Sequence, residues 1–413
     1  MKTINKDVII VGGGPAGLAA ALELYKQGIK DILILERETE LGGILKQCIH
    51  DGFGLTRFKE SYTGPEYAEK FIEKVKLLKI PYRTGSMVLS VSDEREVKVA
   101  SREGLVLYRA KTVIMAMGCR EKTRGALAIP GERPAGIYTA GVAQAYINLH
   151  NKMIGKNVIV LGSGDIGLIM ARRLTLEGAN VVAVFEIQPY PSGLNRNIEQ
   201  CLNDYNIPLY LSHTVTNIHG KSRLKGVTVS KVDNEFQPIK GTEKYYETDT
   251  LVLSVGLIPE NELSLSASVK LDLRTNGALV DTYFQTSVEG IFSVGNALHV
   301  HDLVDFVSLE AEKAALSVKR YLEQGQLPEC DIVIKTDENI IYTVPQRLNK
   351  HDAGDLSFRV RKPMKNALLK VVQSGRLIYE ESFKTIVPAE MKKIKLPRNV
   401  LEISEAVEVS LEC

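Results

Sequence analysis

Two glycine-rich turns, each followed at the same distance by an acid, hold the residues whose spacing suggests chemistry. The first is Gly12-Gly13-Gly14-Pro15-Ala16-Gly17, with Glu36 twenty-four positions after Gly12. The second is Gly162-Ser163-Gly164-Asp165-Ile166-Gly167, with Glu186 twenty-four positions after Gly162. A G-x-G-x-x-G run that leaves a strand and opens a helix suits the pyrophosphate of a dinucleotide. Gly12 and Gly162 permit the turn. Gly14 and Gly164 let the backbone approach the phosphates at a helix N-terminus, and Gly17 and Gly167 allow close helix-to-strand packing. Pro15, Ala16, Asp165 and Ile166 complete the two turns, and Glu36 and Glu186 are placed to accept hydrogen bonds from a ribose. No arginine follows Glu186 in Ile187-Gln188, so a 2′-phosphate would meet a carboxylate there, and a dinucleotide without that phosphate is expected.

Thiol and metal chemistry have weaker candidates. Cys48 lies in the loop Gly42 to Leu55 with His50 two residues on. If His50 lowers its pKa, Cys48 can carry a sulfenate or persulfide; the alternative is a packed thiol without a redox role. Cys119 follows Gly118 as a strand-end packing residue, and Cys201 fits a helix face. The five cysteines, with Cys330 and Cys413, never form a C-x-x-C pair, which fits reduced thiols in a cytoplasmic compartment and disfavours a disulfide scaffold or a cysteine-ligated zinc. His299 and His301 have no acidic or thiolate third ligand nearby in sequence, so no metal site is expected.

These residues need strands and helices behind them, and the pattern supplies both. Asp7 to Val11 reads as a buried strand, Leu18 to Gln27 as a helix and Asp31 to Leu35 as a second strand; Asn157 to Leu161, a helix through Glu177 and Asn180 to Phe185 repeat the unit. Each repeat is answered downstream by a strand ending in glycine, Thr112 to Gly118 and Thr250 to Gly256. The expected fold is α/β, with two Rossmann-like dinucleotide-binding domains. Val8 to Leu22 imitates a signal peptide, but three consecutive glycines and a proline interrupt it, and no stretch is long and apolar enough to cross a membrane. With 52 Lys+Arg against 50 Asp+Glu, nucleic acid and anionic membranes gain no global attraction.

The order of these motifs resembles the pyridine nucleotide-disulfide oxidoreductase superfamily, the glutathione and thioredoxin reductase relatives, over residues 1 to 326. The resemblance implies FAD on the first motif and NAD(H) on the second, which is inserted in the first. Domains of 1–118 with 256–326, and of 119–255, follow from it. The return segment Thr286 to Asn296 resembles the family's second flavin signature, in which Gly-Asp reaches the ribityl and pyrophosphate groups; Gly295 matches and Asn296 replaces the acid. Gly43 and Gly118 join the implied FAD set, and Gly256 the NAD set. An irregular stretch Ala297 to Phe306 leads to an amphipathic helix whose N-terminus is expected to face the flavin.

The superfamily's named activity needs two cysteines beside the flavin, and the loop after Glu36 has one. Longer motifs, among them Gly43 to Leu55 and Gly295 to Asp302, resemble bacterial flavoprotein subunits that accompany a glycerol-3-phosphate dehydrogenase-like subunit, often with a small cysteine-containing electron-transfer protein. The same group includes subunits of amino-acid and opine dehydrogenases. The implied function is an FAD-dependent, NAD(H)-linked oxidoreductase subunit that exchanges electrons with a partner flavoprotein dehydrogenase. Alternatives are a free-standing NADH oxidase or polysulfide-type reductase using Cys48, and a non-catalytic flavin-binding scaffold. From Leu327 the pattern changes to short alternating strands, a small antiparallel β domain at 327–413 for assembly or for covering the flavin domain.

Overall fold

The computed structural model describes residues 2–397, 400–401 and 405–412; Cys413 lies outside them. Two compact units emerge, Met1–Cys119 with Pro259–Cys413, and Arg120–Ile258.

In the first unit the strand Lys2–Val11 sits in a seven-stranded sheet between Ile32–Leu35 and Gly104–Met115, parallel to both. Val11 pairs with Leu35 and with Met115, so the strand ends that carry the turns are level. The far edge of Gly104–Met115 is shared: its first half takes the antiparallel strand Glu96–Ser101, and its end takes Ile291–Ser293 in parallel. That pairing returns the chain to the sheet just before Gly295. Alternation buries the central strand on both faces. Val8 and Ile10 pack under the helices Pro15–Lys26, Gly64–Leu77 and Val304–Gln324, while Ile9 and Val11 face Val97, Val99, Tyr342 and Val344.

The second unit repeats the plan with a five-stranded parallel sheet in the order Leu209–Leu211, Asn180–Glu186, Asn157–Leu161, Thr250–Leu253, Ile137–Thr139. Leu161 is level with Phe185 and Leu253. An antiparallel sheet of His213–His219, Gly226–Lys231 and Lys244–Glu247 accompanies it.

Residues 332–412 form a five-stranded and a three-stranded sheet around a core of Ile332, Phe358, Leu369 and Val409. The expectation of an antiparallel domain is corrected in one respect. The sheet is mixed, because Ile332–Thr336 runs parallel to Val407–Glu412. Arg376–Ile386 is one strand, continuously paired to Met364–Gln373 across a bulge. Lys392–Lys395 is a further strand, whose lysines hid it from a hydrophobic pattern and of which only Ile394 is buried.

Candidate functional site

The first glycine turn has two kinds of glycine. Gly12, at φ +111°, would bring an added Cβ within 2.3 Å of the Ala116 carbonyl oxygen, and a Cβ on Gly17 would lie 1.9 Å from the Gly12 oxygen. The backbone itself demands both. Gly14 is different, because the nearest atom to its added Cβ is the Gly43 Cα, at 3.9 Å. Nothing in the protein requires a glycine there, and the space lies over the N-terminus of Pro15–Lys26. Pro15 opens that helix, no side chain caps it, and its first turn holds no acid. Free backbone donors facing an open space make an anion site.

Two further segments border this turn. The Gly42 N–H donates to the Gly13 oxygen at 2.9 Å, and Gly43 turns against the Gly14 Cα. Gly295 sits where an added Cβ would come 3.0 Å from the Ala16 Cβ. Gly118 lies at the end of Gly104–Met115 with open space beside it, and its oxygen accepts the Glu260 N–H at 3.0 Å. The structure thus gathers Gly12, Gly14, Pro15, Ala16, Gly17, Gly43 and Gly295.

Glu36 is buried, and its two oxygens accept the Gly13 N–H (2.7 Å) and the Glu38 N–H (2.8 Å). Glu186 repeats this bonding with Ser163 (2.9 Å) and Gln188 (2.9 Å). The units therefore match in hydrogen bonds as well as in spacing. They differ in spare capacity. Glu186 also accepts the hydroxyls of Ser163 (2.6 Å) and Ser192 (2.7 Å), so a ribose there must share it with two serines.

In the second turn Gly162 is pressed on the Ser254 oxygen, and the Gly167 N–H donates to Ser254 Oγ at 3.0 Å. Gly164 leaves 3.1 Å between an added Cβ and Ser254 Oγ. Asp165 is turned toward 194–197, accepting the Leu194 N–H and the Asn197 amide at 2.8 and 2.6 Å. Ile166 packs on the core behind the loop, and the Gly256 oxygen accepts the Lys122 N–H.

Two sequence expectations are corrected. Burial pushes the Cys48 thiol up to about 12, the opposite of activation, and the His50 ring packs on Phe53 with centroids 5.0 Å apart. The expectation of no acid near His299 and His301 fails as well. Glu310, eleven residues after His299, brings Oε2 to 2.9 Å from His299 Nε2 and 3.2 Å from His301 Nε2. These three donor groups lie within 4.8 Å of one another at hydrogen-bond spacing. Burial alone would raise the Glu310 pKa, but the two histidines outweigh it and hold the carboxyl below the usual range.

The aspartates of the same loop are structural. Asp305 accepts the Gly54 and Arg57 N–H groups at 3.1 and 2.9 Å, fixing the 52–57 loop to the helix that begins at Val304, two residues before the irregular stretch was expected to end. Asp302 is paired with Arg359 at 2.5 Å. Arg359 and Glu310 were missed from sequence. Glu310 left a signal, a charged residue on the apolar stripe of Val307, Ala311 and Ala314; Arg359 left none.

With this geometry in place, comparison with known proteins decides the family. The profile of the pyridine nucleotide-disulphide oxidoreductases matches residues 6–316. The chain belongs to that family. It is 28% identical to thioredoxin reductase of Bacillus subtilis, over 78% of this chain and 96% of that one. It is 26% identical to hydrogen cyanide synthase subunit HcnB of Pseudomonas protegens, over 76% of this chain and 68% of that one. Thioredoxin reductase of T. acidophilum superposes with a TM-score of 0.64 and 27% identity, covering 76% of this chain and 98% of that one. Members of the family bind FAD and NAD(P)H, and the chain is an FAD-dependent NAD(P)H oxidoreductase with Rossmann-like domains. Among the described residues no helix is long and apolar enough to cross a membrane.

Proposed function

We propose that this chain is the NAD(H)-linked flavoprotein subunit of a cytoplasmic dehydrogenase, exchanging electrons with a partner flavoprotein that oxidises glycerol 3-phosphate. The observation that carries the flavin assignment is the open space at Gly14, bordered by Gly43 and Gly295, over an uncapped helix N-terminus. Gly12, Gly14, Pro15, Ala16, Gly17, Glu36, Gly43, Gly118, Gly295 and Asn296 would hold FAD, with Glu36 keeping lone pairs for a ribose. Gly162, Gly164, Asp165, Ile166, Gly167, Glu186 and Gly256 would hold NAD(H). Bound flavin supplies hydride acceptance and release; the chain binds, orients and excludes water.

Two features support a subunit role over a complete dehydrogenase. Cys48 is a half-buried thiol whose pKa is raised and not lowered by its surroundings, which takes support from the reductase alternative. The flavin-side loops also lack a free basic cluster, although a phosphate dianion needs several charge-assisted bonds. Lys46 lies 3.6 Å from Glu40, Arg57 is paired with Glu312, and Arg359 spends its donors on Tyr342, Pro388, Val300 and Asp302. The subunit name of the hydrogen cyanide synthase relative is in keeping with such an assembly.

The test is anaerobic. NADH is expected to bleach the flavin of the isolated chain, and glycerol 3-phosphate to bleach it only after a co-purifying partner is added. Bleaching by glycerol 3-phosphate alone would place the substrate site on this chain and end the subunit proposal.

A further inference from the structure

We propose that Asn296 offers the flavin an amide N–H donor where an acid would offer an acceptor, and that His301, donating from both ring nitrogens and held by Glu310, is the positioning residue that fixes it. This rests on the FAD assignment above.

The argument starts from the carboxamide. Asn296 Oδ1 lies 3.1 Å from the backbone nitrogen of His301. A backbone N–H can only donate, so oxygen and not nitrogen must face it, which removes the usual ambiguity of an amide. The same Oδ1 is 3.2 Å from His301 Nδ1, and the His299 carbonyl oxygen is 3.0 Å from that nitrogen. Both neighbours are acceptors, so Nδ1 carries a proton.

The other ring nitrogen faces the Glu310 carboxylate. Nε2 is 3.2 Å from Oε2, which also takes His299 Nε2, while Oε1 accepts the Gly295 N–H at 2.8 Å. All three side chains are buried. A bare Nε2 would put a lone pair against a buried carboxylate, whereas a proton there makes a charge-assisted bond. In this arrangement both ring nitrogens of His301 donate. Burial first, and the charge of His301 second, lower the pKa of His299 and keep it neutral, donating from Nε2 with Nδ1 unpartnered. Other polar groups that act on this cluster are Tyr342, edge-on to the His299 ring at 5.9 Å, Arg359, whose charge is matched by Asp302, and Lys313, whose ammonium interacts with the Glu310 charge.

With Oδ1 occupied twice, Asn296 has only its N–H groups to give, and among the described residues they meet the weak acceptor Cys119 Sγ at 3.8 Å. A donor in place of a carboxylate beside the flavin favours its electron-rich, reduced form.

Two measurements on the purified full chain test this. In protein labelled with ¹⁵N-histidine, NMR is expected to show a proton on each ring nitrogen of His301, with the signals assigned by their loss in His301→Gln. A bare Nε2 overturns the proposal, as does stoichiometric zinc, iron or manganese by elemental analysis, since a cation would then fill the place of the proton. Anaerobic redox titration of the isosteric Asn296→Asp is expected to shift the flavin toward its oxidised form by about tenfold at fixed potential, roughly 30 mV for a two-electron couple. An unchanged potential refutes the donor. A purified chain without flavin defeats the FAD assignment, whereas a bare His301 in a flavin-loaded chain defeats only this inference.

Discussion

Replacing Gly14 by Val separates the two tasks of the first turn, because its consequences for folding and for flavin differ in size. An added Cβ at Gly14 meets no atom closer than 3.9 Å, so the protein tolerates it sterically. The cost is the loss of a favourable N-cap, about 1 kcal/mol. The flavin pyrophosphate would lose the helix N-terminal donors that the side chain covers. Two charge-assisted bonds at about 1.5 kcal/mol each weaken binding by on the order of a hundredfold or more. Gly17→Ala is the control with the opposite profile, since its Cβ would lie 1.9 Å from a backbone oxygen and must force strand and helix apart, about 1–3 kcal/mol or more from overpacking. The assay is flavin released per chain on denaturation, read beside urea unfolding of the apoprotein. Gly14→Val is expected to fold nearly as well as the parent and to purify colourless, whereas Gly17→Ala loses stability with or without FAD. A Gly14→Val protein that folds and keeps full flavin would refute the placement of the pyrophosphate.

Cys48 is expected to alkylate slowly in the native state. With its thiol at about 12, raised by burial, the thiolate fraction at pH 8 is on the order of one in 10⁴, so the rate should climb about tenfold per pH unit from 7 to 11; a plateau near pH 8 would show an activated thiol. Cys48→Ser should keep NADH-driven flavin reduction within about twofold, since a packed thiol contributes no chemistry. For the nicotinamide site, kcat/KM is expected to favour NADH over NADPH by about ten- to a hundredfold, from one charge-assisted bond of about 1.5–3 kcal/mol at Glu186. Ser192→Ala, which frees a lone pair of Glu186, should lower the KM for NADH, and a raised KM would show that Ser192 itself holds the nucleotide.

What sequence reveals here is what short range decides. Gly12, Gly17, Gly162 and Gly167 are dictated by backbone atoms a turn or a strand away, so their spacing carries the βαβ unit directly. Glu36 and Glu186 follow because a strand end is level with the turn beside it. Beyond that range the signal thins. His50 stands two residues from Cys48, yet its ring goes to Phe53, because an irregular loop sets side-chain direction by packing and not by proximity in sequence. Glu310 was visible as a charge on an apolar stripe, but its partners come from an irregular loop, and no periodicity brings that loop back over the helix. The lysine-rich strand Lys392–Lys395 was hidden for a third reason, since an edge strand with one buried side chain has no hydrophobic pattern to read.

The tail shows how far such long-range contacts reach into the chemistry. Tyr342 and Val344 pack beneath the sheet that carries the first glycine turn, so the tail closes the face that the helices leave open. The same two strands, Ile340–Val344 and Asp355–Val360, carry Tyr342 and Arg359 to the loop after Asn296. There Asp302 accepts both the Arg359 guanidinium and the Met391 N–H, with the two side chains only 15% and 12% exposed. A charge that well buried is costly to leave alone, about 3–5 kcal/mol when its partner is removed. The loop is therefore held from two sides, by Arg359 at Asp302 and by Glu310 at His299 and His301, with Asn296 just ahead of both. These bonds tie the tail to the loop, and they explain how a segment with a single 3-10 turn, Gly295–Ala297, can hold one side chain in one orientation.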